Sequence, residues 1–535
     1  MRKLPLAAAL AALMLCSVVQ AKEHDDSNKP DDKALAALIK PQASQSEGSV
    51  SVGGKRIDYK AVAGTLVLHG SGDKEDEPQI SVFYTAYFKK GAEAGKRPIT
   101  FLYNGGPGSA SLWLHMGAFG PKRVVTSDDT HTPAAPYGLA NNDASLLDAS
   151  DLVFIDAPGT GFSRLIADDS DPSKRAEHMS ERKKAIYSVD GDGHAFAQFI
   201  TQFLSQYGRW NSPKYLFGES YGTTRSAVVA NILENEDSVD LNGVILLSQI
   251  LSFDNSIDGP QSNPGVDLPY VLALPTYTAT AYYHKRLAQP PASLEALLVE
   301  VESFATGEYA QALLAGARLD SARKQAVAEK LHQYTGLSTA YWIKADLRVS
   351  GGMFEHELLA GEDMTTGRLD ARFSGPSIDP MSKSSDYDPQ SSAISSAYVA
   401  VFNDYVRQQL KFGDGMPYRL FADIDHWDMS HKAPGSEEAL QQSTNVMPDL
   451  AMAMKTNPNL KVLVNGGYYD LATPFFAADY EMHHLPIPAS LQPNISYAWY
   501  PSGHMVYANT AALKQLHDNV ARFIEQTDNQ GSTRH

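Results

Sequence analysis

Short, fully apolar runs recur along the chain, at Ile99 to Tyr103, Leu152 to Ile155, Tyr215 to Phe217, Val244 to Leu247 and Val462 to Val464. Runs this brief, without polar alternation, suit strands buried on both faces of a parallel sheet. Between them the apolar spacing becomes helical, at Ala195 to Tyr207 and again after Gly222, so strands and helices alternate as in βαβ units. Near the end, Leu513, Leu516, Val520 and Phe523 line one face of a final helix. Upstream, β-rich runs around Ala63 to Leu68 and Ile80 to Phe88 flank the polar stretch Gly70 to Glu77, which predicts an N-terminal hairpin.

The pattern changes between about residues 251 and 447. Leu294, Leu297, Leu298 and Val301 sit at helical spacing, Gly316 and Gly336 mark stops, and Pro376 to Gln390 is rich in Pro, Ser and Asp, an exposed segment open to nicking. A largely helical insertion is expected here. The 535 residues exceed what one hydrophobic core usually organises, which argues for a large domain carrying an insertion or for more than one domain. The expected divisions are a signal peptide at 1–21, a flexible leader at 22–48, core at 49–250, cap insertion at 251–447, core again at 448–528, and a flexible tail at 529–535.

Arg2 and Lys3 precede an apolar run from Leu4 to Leu15, and Val19-Gln20-Ala21 supplies a small-residue cleavage site, so export with cleavage near Ala21 is expected. The run is shorter than the ~20 apolar residues that span a bilayer, so no stable membrane anchor is expected. Cys16 is the single cysteine, and cleavage leaves a mature chain with none. That excludes disulfides, a thiolate nucleophile and cysteine-ligated metal, and it fits a periplasmic or secreted bacterial protein. With 45 Lys plus Arg against 62 Asp plus Glu and a net charge of -17, the chain lacks the basic surface that nucleic acid requires.

The chemistry centres on Gly218-Glu219-Ser220-Tyr221-Gly222, which satisfies G-x-S-x-G between a strand-like run and a helix-compatible stretch from Thr223 to Leu233. The glycines let the serine sit on a sharp turn where neighbouring Cβ atoms would collide. A serine hydroxyl needs a histidine to take its proton and a carboxylate to hold that histidine's tautomer. In this arrangement the chain order is Ser, acid, His. Asp470 follows the strand-like run ending in Gly466-Gly467, and His504 follows the run ending at Tyr500, so both fall at strand exits in the right order. Ser220, Asp470 and His504 are therefore the candidate triad. Asn104-Gly105-Gly106-Pro107-Gly108 leaves another strand as a glycine-rich turn, able with the Tyr221 N–H to supply an oxyanion hole.

His115, His194, His483 and His484 compete with His504, but none combines a strand exit with a position after the acid. The His483-His484 pair reads as exposed loop rather than a metal site. Asp190-Gly191-Asp192 opens like a calcium loop, yet Thr201 stands where the closing glutamate belongs. Neither a metal nor a cofactor is expected.

These residues resemble the serine carboxypeptidase family in four blocks. They are NGGPGS with Gly120-Pro121, FIDAPGTGFSR at Phe154 to Arg164, GESYG around Ser220, and the NGGYYD and GHMVY pair near the C-terminus. The resemblance implies an α/β-hydrolase fold, with a mostly parallel sheet, the Ser220, Asp470 and His504 triad, and Gly106 and Tyr221 N–H groups as oxyanion hole. It implies a serine-type carboxypeptidase acting on peptides with a free C-terminus, whose terminal carboxylate Asn104 and Glu219 would bind. It also implies, by analogy, a homodimer. A carboxyl at Glu219 donates a hydrogen bond only when protonated, which favours acidic pH unless burial raises its pKa. Leu102 and Ala118 depart from the family's tryptophan and second carboxylate-binding glutamate, and Ser109 replaces a usual cysteine.

The same triad would serve an esterase or acyltransferase, in which an alcohol replaces water as acceptor. A non-catalytic binding or stabilising protein on the same fold is a further alternative, opposed by candidates for every catalytic role.

Overall fold

The computed structural model describes residues 38–70, 72–167, 171–436 and 443–529. The expected signal peptide, leader residues 22–37 and the tail after Asn529 lie outside the described residues. One sheet runs through β1 (Ala43–Val52), β2 (Lys55–His69), β3 (Pro78–Lys89), β4 (Ile99–Tyr103), β5 (Asp151–Ile155), β6 (Lys214–Glu219), β7 (Gly243–Leu247), β8 (Lys461–Gly467) and β9 (Ile495–Tyr500). Their spatial order is β1-β2-β3-β5-β4-β6-β7-β8-β9. From β5 onward the neighbours are parallel, whereas β1, β2, β3 and β5 pair antiparallel.

Every residue of β4, β5, β6 and β7 is buried, as their unbroken apolar runs require. Alternate side chains enter two separate cores: Leu102, Phe154, Phe217 and Leu247 on one face, Phe101, Val153, Leu216 and Leu246 on the other. The second face is covered by α1 (Val189–Tyr207) and α2 (Tyr221–Asn235). α1 begins before the apolar spacing does, because the Ser188 hydroxyl caps it by accepting from the Gly191 N–H at 3.0 Å.

Residues 251–447 do not form one body. α3 (Leu268–Tyr283) packs with helices Leu294–Phe304 and Ser321–Thr335 around a third core of their own. α4 (Pro389–Gln408) instead returns to the first face of the sheet, where Ile394, Tyr398, Val401, Phe402 and Tyr405 join the core. α5 (Met447–Thr456) covers the second face and α6 (Thr510–Thr527) the first. Gly336, in left-handed backbone at φ 74°, ends the Ser321–Thr335 helix as expected.

One boundary needs correction. The leader was expected to reach residue 48, but β1 already starts at Ala43 and pairs with β2 from Ala43–Gly64 to Val52–Lys55. β1 is an edge strand that buries Val50 and Val52 well and leaves most other side chains at least partly open. Its backbone ladder holds it, so its polar composition imitates a leader.

The sheet order reverses at β4, since β5 lies on one side and β6 on the other. In open α/β sheets ligands bind outside the carboxyl ends of the strands at such a switch point. Asn104 follows β4, Ser220 follows β6, Asp470 follows β8 and His504 follows β9.

Candidate active site

Ser220 leaves β6 in left-handed backbone, φ 61° and ψ -130°, and α2 starts at the next residue. A non-glycine residue held there carries strain of about 1–3 kcal/mol that surrounding contacts must offset. The Ser220 N–H donates to the Leu247 carbonyl at 3.0 Å, and its carbonyl accepts from the Thr223 N–H at 2.8 Å and the Thr223 hydroxyl at 2.7 Å. The turn also demands missing side chains: a Cβ on Gly218 would lie 2.1 Å from the Gly222 carbonyl oxygen. The result is a serine presented at the positive end of a helix.

Asp470 and His504 are brought together, with His504 Nδ1 2.8 Å from Asp470 Oδ2. Asp470 is fully buried and His504 nearly so. Asp470 Oδ1 accepts from the N–H groups of Ala472 at 2.9 Å and Thr473 at 3.0 Å, while the Thr473 hydroxyl donates to Oδ2 at 2.7 Å. With its Nδ1 facing this carboxylate, His504 carries the proton on Nδ1, directed towards Asp470. Burial alone would lower the His504 pKa, but the charge and hydrogen bond of Asp470, with a further pull from Glu219, raise it above its ordinary value.

The glycine turn after β4 abuts the serine elbow. A Cβ on Gly105 would lie 2.4 Å from the Tyr221 nitrogen, so the two candidate oxyanion elements touch through backbone. Gly106 has φ 110°, open to glycine but rarely to other residues. Asn104 Oδ1 accepts from the Leu114 N–H at 3.0 Å, which aims its amide nitrogen at Glu219. Glu219 is buried, and burial pushes its carboxyl up to about 7 against the opposing pull of His504, the Tyr507 hydroxyl and Asn104.

Several supporting residues have no local signature. Arg225, one turn into α2 and buried, donates to Asp192 Oδ2 at 2.6 Å and to the Asn104 carbonyl at 2.8 Å, tying the serine helix to the glycine turn. Asp192 belongs to the segment that opens like a calcium loop, and its carboxylate is committed to this ion pair. A strap from Tyr418 to His431 crosses the glycine turn after β4, with Ala110 N–H donating to the Leu420 carbonyl and Ala422 N–H to the Gly108 carbonyl, each at 2.9 Å. Trp427 meets Tyr221 edge-on at 5.3 Å, and His431 is clasped between Asp190 at 2.7 Å and Asp449 at 2.8 Å. Burial opposes the His431 charge, yet the two carboxylates raise it to about 9.

The other histidines stand apart. His115 is buried, with Tyr87 at 2.7 Å and Phe154 stacked at 4.4 Å. His483 and His484 are exposed at the end of the helix Phe475–His483 rather than in a loop, since each Nδ1 reaches the carbonyl four residues back. Among the described residues no group of three or more His, Cys, Asp or Glu side chains could hold a metal ion.

A strained serine between a parallel strand and a helix, with its acid and histidine at two later strand exits, is the architecture of the α/β-hydrolases. The serine carboxypeptidase family model matches residues 69–517, and the chain belongs to that family. A curated relative, the pheromone-processing carboxypeptidase of Yarrowia lipolytica, is 28% identical over 154 residues, covering 28% of this chain. The match spans about a fifth of that relative's length, 21%. Among solved structures, proline iminopeptidase of Mycobacterium smegmatis is 13% identical with a TM-score of 0.35, covering 88% of this chain and 100% of the other. A thermophilic esterase of Thermogutta terrifontis is 10% identical with a TM-score of 0.29, covering 90% and 99%.

Proposed function

We propose that this protein is a serine-type carboxypeptidase that releases C-terminal residues from peptides through an acyl-enzyme on Ser220. The observation that carries the reading is Glu219, a buried carboxyl directly before the nucleophile, with Asn104 turned towards it and its protonation extended to about pH 7. Protonated Glu219 and the Asn104 amide are two donors suited to a terminal carboxylate.

In the reaction, Ser220 Oγ attacks the last peptide carbonyl and its proton passes to His504 Nε2, since Nδ1 faces Asp470. The developing oxyanion takes hydrogen bonds from the Gly106 and Tyr221 N–H groups. His504 then protonates the leaving amine, which departs as the terminal amino acid. Water, deprotonated by His504, attacks the acyl-enzyme and releases the shortened peptide, and the proton returns to Ser220. Asp470 holds the imidazole's tautomer and stabilises the imidazolium without itself taking the proton.

Arg2, Lys3, the apolar run and the cleavage pattern at Ala21 support export to the periplasm or beyond, and mass spectrometry of the secreted chain would test maturation near Lys22. The net charge of -17 supports a protein without nucleic-acid partners.

The deciding experiment compares N-blocked dipeptides with free and amidated C-termini, from acidic to neutral pH, with Ser220→Ala as control. Preferential cleavage of the free acid, lost in Ser220→Ala, supports the assignment. Turnover of esters alone through Ser220 moves the protein to the esterase or acyltransferase reading.

A further inference from the structure

Glu219 is held by more than Asn104, the group that would bind a substrate with it. Its Oε2 accepts a hydrogen bond from the Tyr507 hydroxyl at 2.7 Å. Glu219 and Asn104 are each 3% exposed and Tyr507 is 2% exposed, so water does not substitute for that donor. The Asn104 amide nitrogen completes a triangle with the carboxyl and the phenol. Tyr507 has little room to move: a Cβ on Gly117 would lie 2.6 Å from its ring and 2.4 Å from the Tyr398 hydroxyl, so both tyrosines close on that glycine. Tyr507 also lies three residues after His504, so the loop that presents the candidate base delivers this phenol to the candidate carboxylate site.

We propose that Tyr507 is a positioning residue for recognition of the substrate's terminal carboxylate, its hydroxyl holding the Glu219 carboxyl in one orientation beside Asn104. The inference rests on the carboxypeptidase reading and deepens it. An oxygen already accepting a phenol proton is the poorer seat for the carboxyl proton, so protonated Glu219 carries its hydrogen on Oε1, free of Tyr507. The substrate thus meets a donor whose direction is preset, and little rotamer freedom is lost on binding.

The phenol has a second, opposing effect. A donor to Oε2 favours the ionised carboxylate, which cannot donate to another carboxylate. The groups facing Glu219 are Asn104 after β4, His504 and Tyr507 after β9, Asp470 after β8, and Tyr398 from α4. Burial raises the carboxyl most; His504, Tyr507 and Asn104 lower it and Asp470 raises it. Removing the phenol hydroxyl therefore loosens carboxylate binding at acidic pH while moving its alkaline limit upward.

The test compares full-length wild type with Tyr507→Phe on an N-blocked dipeptide with a free C-terminus and on a neutral ester of the same acyl group, across pH. Thermal unfolding of both verifies the fold. The expected result is a KM for the free acid raised about tenfold at acidic pH, a kcat changed by less than about twofold, an alkaline limb displaced to higher pH, and unaltered ester kinetics. A Tyr507→Phe enzyme with unchanged KM and unchanged limb overturns the proposal, as does an equal loss on acid and ester, the mark of a purely structural role. A wild type that ignores the free carboxylate defeats the carboxypeptidase reading itself, so the two failures are distinguishable.

Discussion

The two halves of the candidate site are held by different means. Ser220 and Tyr221 come from one continuous strand–turn–helix, and the elbow's restraints are mostly backbone bonds made within it or to the neighbouring strand β7. Asp470 and His504 sit on separate loops joined by a remote piece of chain, Arg368 to Arg372, that runs between them. The Leu471 N–H donates to the Arg368 carbonyl at 3.0 Å, the His504 N–H to the Leu369 carbonyl at 2.6 Å, and the Gly503 N–H to Asp370 Oδ2 at 3.2 Å. Arg372 completes the splice through its ion pair with Asp370, 3.0 Å from Nε to Oδ1, both side chains being buried. Backbone bonds of the core thus hold the candidate nucleophile, with Trp427 packing edge-on against Tyr221, whereas the candidate acid–base pair depends also on the remote segment Arg368 to Arg372. Changes in that segment should reach the chemistry, not only the choice of substrate.

The largest effect should come from the acid–base half. Asp470→Asn keeps the shape but offers His504 the wrong partner, and kcat should fall on the order of 10⁴-fold with a native-like unfolding curve. A loss below about tenfold would show that another group orients His504. Next, Asp370→Asn removes the charge opposite buried Arg372. It should cost about 3–5 kcal/mol of stability, seen in chemical denaturation. It should also lower kcat about tenfold with KM held within about twofold, measured well below the unfolding temperature. Lost stability with an unchanged kcat would show that Asp370 stabilises the fold without placing the acid–base pair.

Glu219→Gln sharpens the other side. Glu219 must be protonated to donate, so with its carboxyl at about 7 the wild-type KM for a free acid should climb above that pH, approaching tenfold per unit. Glutamine donates at every pH, so the variant should show a KM flat through the same range in steady-state kinetics. A limb that persists in Glu219→Gln belongs to a different group. The smallest change is expected for Thr473→Val, which deletes one of the donors to Asp470 and should lower kcat about threefold to tenfold.

Much of this was legible in the chain. The apolar runs located β4, β5, β6, β7 and β8 to within a few residues, because a strand buried on both faces has to be apolar throughout. G-x-S-x-G and its flanks located the elbow, because only glycine tolerates the close approach at residue 218. The early start of β1 was hidden because an edge strand is held by backbone bonds that any polar residue can make. The return of α4 to the sheet was hidden because an amphipathic face records that it is covered and not by what. Arg225, His431 and Tyr507 gave no local sign, since an ionic or phenolic partner has no period.

Where the backbone must turn, which segments must be buried, and which residue types could serve as nucleophile, acid and base are all written along the chain, since they follow from short-range sterics, periodicity and the chemistry of single side chains. The tertiary structure alone decided that Asp470 lies 2.8 Å from His504, that a remote segment braces both, and that Glu219 is buried against Tyr507. Those distances join residues far apart in the chain, and the protonation of Glu219 depends on desolvation and charge summed over all of them.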